Sequence, residues 1–296
     1  MRQPGDPAAG RNPPYGASLH YYLEAEPEDE LELSILDAAR VGVRTLEEVA
    51  TSAGLHRIYW DLEYDDPPEI RLRTKPEENP HVTIPDQGWR PLRDDEDPFT
   101  LLAPPGRYTV RLAVGEKILT RELVVLKDPG SAGSEDDIRA QMDLLFGLRD
   151  MLEEATGIIN EIEWLRKQID DLDERLEDWP EESVPEVGEI VAAGREVDDR
   201  LKAIEGQFFD PRLTGAGQDA LRWESRLHSR ILHLAWGLGR GDFPPTDQQI
   251  EVYDLLKEEL RNHRQQFAEL REHDVAGFNE LLREKGLAYL MTVPAP

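Results

Sequence analysis

The chain has no cysteine among its 296 residues, which excludes disulfides, thiolate metal sites and cysteine nucleophiles and leaves the redox compartment open. Nowhere does an apolar run approach the ~20 residues of a membrane-spanning helix. The opening Met1-Arg2-Gln3-Pro4-Gly5-Asp6-Pro7 lacks the apolar core of a signal peptide. As written, the chain is expected in the cytoplasm, and outside it if it belongs to a longer exported protein. Positive charge is scarce: 34 basic residues face 62 acidic ones, for a formal charge of −28. A surface that negative repels nucleic-acid phosphate and anionic lipid, so neither nucleic acid nor membrane is expected as a partner, whereas cations and basic proteins remain open. Lysine is scarcer still, 7 against 27 arginines. An acidic, lysine-poor composition is the expectation for a protein soluble at high salt, where screening relieves repulsion among carboxylates.

Signatures of chemistry are equally few. The sequence holds no Gly-rich phosphate loop, no Gly-x-Ser-x-Gly elbow and no His-Glu-x-x-His zinc helix. Ser18, Ser34 and Ser52 fall on or beside predicted strands with no histidine in context. His228 and His233 are five apart and do not share a helix face, while Glu224 with His228 and Glu259 with His263 have the i, i+4 spacing of ordinary surface pairs. The run Asp94-Asp95-Glu96-Asp97 lacks the glycine and spaced carboxylates of a calcium loop. The expectation is a chain with no catalytic residue, no cofactor and no metal.

What is present is a change of hydrophobic period near residue 130. Alternating apolar residues predict strands over 17–23, 31–36, 41–46, 55–64, 108–114 and 118–126, with turns such as Val114-Gly115-Glu116-Lys117 between them. These add up to an immunoglobulin- or fibronectin-like antiparallel β-sandwich over 15–128, preceded by a linker-like segment 1–14 rich in Pro, Gly and Ala. Residues 65–103, dense in Pro, Asp and Glu, read as an exposed acidic loop inserted in that sandwich. Within the strand Gly54-Leu55-His56-Arg57-Ile58-Tyr59-Trp60, alternation points Trp60 into the core. The pair Trp60 and Asp61 nevertheless offers an aromatic beside a carboxylate, the one candidate for a carbohydrate contact.

After Ser134 the period becomes helical. Apolar residues recur at steps of three and four from Ile138 to Leu176, a coiled-coil-like seam on a helix roughly 65 Å long. Trp179-Pro180 is expected to stop it. Further helices are predicted over 187–208, 220–238, 247–272 with Thr246 as cap, and 275–285 closed by Gly286. The fold class is therefore α+β and multidomain, the sandwich being followed by an antiparallel bundle of long helices over 134–290. Self-association through 135–178 is an expectation of that seam.

The ordered set Asn12-Pro13-Pro14-Tyr15-Gly16-Ala17, His20-Tyr21-Tyr22-Leu23, Leu33-Ser34-Ile35-Leu36-Asp37, Ala53 to Leu62 and Ala103 to Val110 resembles the region downstream of the β-propeller in bacterial proteins labelled sortilin-like or BNR-repeat glycosyl hydrolase-like. The likeness extends through Asp136 to Asp150 and Phe278-Asn279-Glu280-Leu281-Leu282. Trp60-Asp61 followed by Pro105-Gly106-x-Tyr108 also resembles the immunoglobulin-like module of flagellar hook-capping proteins. The first resemblance implies an accessory role beside a propeller that this chain lacks, and it transfers no catalytic residue. It implies two functions of different class: a non-catalytic interaction module that packs on a β-propeller or other protein partner, or a carbohydrate-binding or glycoside hydrolase-associated module.

Overall fold

A computed structural model describes residues 14–93, 99–177 and 187–292. Nearly all of the linker-like segment, the acidic run 94–97 and the Trp179-Pro180 stop lie outside the described residues. Strands come first and helices second, and the chain divides into two compact units.

The first unit takes the described residues up to Asp66 together with Thr100–Glu135. It holds β1 (Ala17–Leu23), β2 (Leu31–Leu36), β3 (Gly42–Leu46), β4 (Gly54–Trp60), β5 (Gly106–Val114) and β6 (Lys117–Val125) in two antiparallel sheets, β1-β4 and β3-β2-β5-β6. One core joins the sheets. Ile35, Val43 and Tyr108 from the four-stranded sheet meet Trp60 from the other, with Leu19, Leu46 and Val110 packed around them. Trp60 and Tyr108 meet edge to face, 5.4 Å between ring centroids, the arrangement the ring quadrupoles favour. Both polar tips are satisfied inside: Trp60 Nε1 donates to the Glu63 carbonyl at 2.8 Å and Tyr108 Oη to the Pro104 carbonyl at 2.7 Å. Gly16 is obligatory beside this core, because its φ is +108° and an added Cβ would sit 2.0 Å from the Trp60 carbonyl oxygen. The strand expected to run to Tyr64 stops at Trp60, since Leu62 turns to a φ of +67° and the chain continues only as an isolated bridge, Glu63 to Leu102.

The second unit comprises Pro67–Phe99 and the chain from Asp136 onward. Residues 67–99 are thus not an exposed loop of the sheets. Ile70, Leu72 and Leu92 are buried, Leu72 and Arg90 exchange backbone hydrogen bonds, and Asn160 holds the segment by accepting from Arg71 N at 2.7 Å and donating to Glu69 O at 2.8 Å. The apolar residues of this segment stand singly among prolines and carboxylates, so no period betrays them.

Its helices are α1 (Glu135–Glu177), α2 (Val187–Phe208), α3 (Asp219–Arg222), α4 (Leu227–Leu238), α5 (Asp247–Leu270) and α6 (Ala276–Glu284), with a π-helical turn, Arg271–Val275, between the last two. Side-chain pairs fix their directions. Arg166 of α1 bonds Glu205 of α2, whereas Ile169, further along α1, packs at Gly194, earlier in α2, so α1 and α2 run opposite ways. Glu154 and Glu161 of α1 pair in ascending order with Arg264 of α5 and Arg271 just beyond it, so α1 and α5 run the same way. A capping box between Thr246 and Gln249 opens α5. The single helix expected over 220–238 is two, because Trp223 is extended at ψ 147° and interrupts it. The seam of α1, from Ile138 to Leu176, is buried within the chain itself, so a second copy is not needed to cover it.

Candidate functional site

Among the described residues, the densest group of buried charge lies where α1, α2 and the 71–78 segment meet. Glu163 and Arg166 stand one turn apart on α1, beside the seam residues Ile162 and Leu165. Arg166 Nη1 donates to Glu163 Oε1 at 3.1 Å and Glu205 Oε2 at 2.6 Å, and its Nε donates to Asp198 Oδ1 at 2.9 Å. The four side chains are 8%, 2%, 1% and 13% exposed for Arg166, Glu163, Glu205 and Asp198 respectively. Lys202 adds a bond to Asp198 Oδ2 at 2.8 Å and another to Glu77.

Glu163 is saturated. Besides Arg166 it accepts from the Thr74 amide at 2.7 Å, the Thr74 hydroxyl at 2.7 Å and the Arg73 amide. It thereby pins the 71–74 backbone to α1 and supplies its amides with the acceptors that a strand or helix would otherwise provide. Glu205 is different: its Oε1 is buried and has no donor. Arg166 faces all three carboxylates, Lys202 faces Asp198, and the Arg73 charge acts on Glu163. Burial first, and then the neighbouring Glu163 charge, push the Glu205 carboxyl well above the usual carboxylate range, against the pull of Arg166. Burial works against the Arg166 charge as well, but the surrounding carboxylates outweigh it and keep the guanidinium protonated.

Above this cluster opens a cleft of about 210 Å³ whose walls include Leu72, Pro76, Lys202, Phe209 and Pro211. Paired carboxylates over a cleft invite an acid/base reading, in which one carboxyl donates a proton and the other attacks or activates water. Glu163 cannot take the second part, since every one of its bonds is already made to the protein.

The residues singled out from sequence lie elsewhere. Trp60 is fully buried and Asp61 accepts from the Glu63 amide at 3.0 Å, so the indole does not stand exposed beside that carboxylate. Glu224 turns to Arg226 at 3.6 Å, and burial pushes the His228 imidazole down to about 4. His263 Nε2 lies 3.7 Å from Glu259 Oε1; burial lowers its pKa while Glu259 pulls the other way. Asp94 to Asp97 lie outside the described residues. Among the described residues, no three His, Cys, Asp or Glu side chains converge on a metal position. A second cleft, about 570 Å³, is lined by Trp223, Leu232 and Trp236.

Sequence reading missed the Glu205 cluster, although a signal existed: Glu163, Arg166, Asp198 and Glu205 all sit on or next to apolar seam positions, where charge is out of place unless partnered. Comparison with family models, with curated proteins and with solved structures finds no match for the chain.

Proposed function

We propose that the chain is a non-catalytic interaction module: an immunoglobulin-like β-sandwich that adds to a β-propeller or other protein partner through its open strand edge, joined to an antiparallel bundle of long helices. The sheet order β3-β2-β5-β6 corresponds to the C′-C-F-G order of such sandwiches, with β1 and β4 in the places of strands B and E. A tyrosine near the start of the F-like strand that bonds back a few residues upstream is a feature of that architecture, and Tyr108 does so to Pro104. The buried tryptophan departs from the immunoglobulin pattern, standing on the E-like strand rather than on C.

The observation that carries the functional reading is β6. It is a nine-residue edge strand, paired on one side with β5 and with no partner strand on the other among the described residues. Ile118, Leu119 and Val124 are exposed along it and Leu126 just after it. Edges this long and this apolar are ordinarily shortened, charged or covered, because the free amides and carbonyls template pairing with another chain. The saturated Glu163 supports the non-catalytic half of the reading.

The test is capture from the source organism with tagged full chain, against the Ile118→Lys/Leu119→Lys variant. The expected result is a protein containing a β-propeller, identified by mass spectrometry, retained by the native chain and lost at least tenfold by the variant. Retention that the variant leaves unchanged, or hydrolysis of an aryl-glycoside panel by the purified chain, overturns the reading.

A further inference from the structure

Charge along β6 runs against the chain as a whole. Residues 105–127 hold five cations, Arg107, Arg111, Lys117, Arg121 and Lys127, and two carboxylates, Glu116 and Glu122, in a chain whose formal charge is −28. The carboxylate on the strand itself is already paired, since Arg107 Nη1 donates to both Glu122 oxygens, at 2.8 and 2.9 Å. Arg121 is not: its guanidinium donates to the Thr120 carbonyl at 3.3 Å and meets no carboxylate among the described residues. Lys117, exposed at the start of the strand, has no ion pair among them either. Alternation sorts these side chains by face. Lys117, Leu119 and Arg121 share a face with Leu123 and Val125, which pack on the core, whereas Ile118, Thr120, Glu122 and Val124 share the other. Val114 and Lys117 close the hairpin around the two-residue turn Gly115-Glu116, so the backbone groups of Ile118, Thr120, Glu122 and Val124 point away from β5 and form the open edge.

We propose that the strand this edge takes is acidic: an extended segment of a partner protein in which carboxylates alternate with apolar residues, the carboxylates facing Lys117 and Arg121 and the apolar side chains lying beside Ile118 and Val124. The proposal rests on the reading of β6 as a docking edge and adds the chemistry of its partner. Main-chain hydrogen bonds attach any strand to an open edge, and the side chains that flank them choose among strands. Opposite charges facing across a strand pair attract and like charges repel, so a basic strand meets Lys117 and Arg121 unfavourably, while an acidic one supplies the partners they lack. A slip of one residue turns the carboxylates onto Ile118 and Val124 and leaves the cations unpaired, so the pattern also fixes the register. The same arginine sets the edge against a second copy of the chain. The symmetric antiparallel register that brings Ile118 to Val124 and Leu119 to Leu123 places the two Arg121 side chains opposite each other, as charged residues on natural edges do to block self-pairing. The distant negative charge of the chain opposes an acidic partner only weakly, because exposed charges beyond ~8 Å are largely screened at physiological salt, whereas Lys117 and Arg121 act at contact.

Fluorescence anisotropy of short capped peptides with the full chain, at physiological ionic strength, tests this; one peptide alternates glutamate with valine and the other lysine with valine. The expected result is binding of the glutamate peptide about tenfold tighter than the lysine peptide, lost when the peptide amides that face the edge are N-methylated. Lys117→Glu/Arg121→Glu, at two exposed positions, should reverse the preference, which a loss of structure would not do. Equal or tighter binding of the lysine peptide, a preference that the double reversal leaves unchanged, indifference to N-methylation, or no binding of either peptide overturns the proposal. So does a dimer, seen by light scattering, that Ile118→Lys/Leu119→Lys dissolves, since a second copy is then the occupant. Failure of the underlying reading looks different: capture of a partner protein is then the same with Ile118→Lys/Leu119→Lys as with the native chain.

Discussion

The two units handle charge in opposite ways. In the β unit, ion pairs such as Arg107 with Glu122 and Arg111 with Glu32 lie on strand faces in contact with water, and the interior is aromatic and aliphatic, closed by Trp60 and Tyr108. In the helical unit, an arginine and three carboxylates are sunk among leucines and isoleucines. The difference teaches what each needs. A strand ladder supplies its own backbone partners, so the β core needs only apolar volume and two internal hydrogen bonds. Among its described residues the 67–99 segment has no ladder beyond the Leu72–Arg90 bridge, and it is fastened instead by side chains of α1: Asn160 and Glu163 take its amides, and Arg166 neutralises Glu163. Burying those charges forgoes hydration, and a pair so placed is worth more as a specifier of position than as a source of stability.

Substitutions can break or sharpen this contrast, and hydrogen exchange resolved by peptide reads each unit separately. The largest effect is expected from Arg166→Met, which strands three carboxylates in the interior; it should cost the helical unit about 3–5 kcal/mol and leave β1–β6 protected as before. Loss of protection in both units would break the contrast. Trp60→Phe should cost the β unit about 1–3 kcal/mol by leaving the Glu63 carbonyl unsatisfied in the core, with the helices unchanged.

Acidity separates two groups in the helical unit. The Glu205 pKa is raised on folding, so its contribution is intact below the unfolded carboxylate value near 4.5 and is lost as pH rises through the folded value. Glu205→Gln should therefore stabilise the unit increasingly above pH 4.5, seen in denaturant midpoints, and change nothing below. His228 runs the other way. Its folded pKa is lowered from 6.5 to about 4, so stability is intact above 6.5 and falls as pH drops toward 4, and His228→Gln should flatten that acid limb. A flat wild-type profile across the window would show that burial at His228 does not matter to folding. The smallest effect belongs to Arg107→Ala, an exposed pair, where a change within about 0.5 kcal/mol is expected.

Much of this architecture was legible in the order of residues. Alternation at period two marked all six strands, with only Leu62 ending one early, and the 3.6-residue recurrence from Ile138 to Leu176 marked α1 over nearly its full length. Trp60 was legible as a core residue from alternation with Ile58. Such features are local, because neighbours along the chain share one face of one element. The break at Trp223 was not legible, since the apolar spacing runs on through it.

The sequence by itself determined the elements, their order, the overall negative field and the lack of thiol chemistry, each of which depends on residue identity or on spacings of a few positions. Only the tertiary structure decided that residues 67–99 belong with the helices and that Glu163, Arg166, Asp198 and Glu205 close on one another. Apart from Glu163 and Arg166, neighbours on one helix, those partners lie 32 to 90 positions apart, and no periodic pattern encodes which distant amide or guanidinium a buried carboxylate will meet. That choice is made by the energy of leaving charge unpaired away from water, a quantity defined only once the chain has folded.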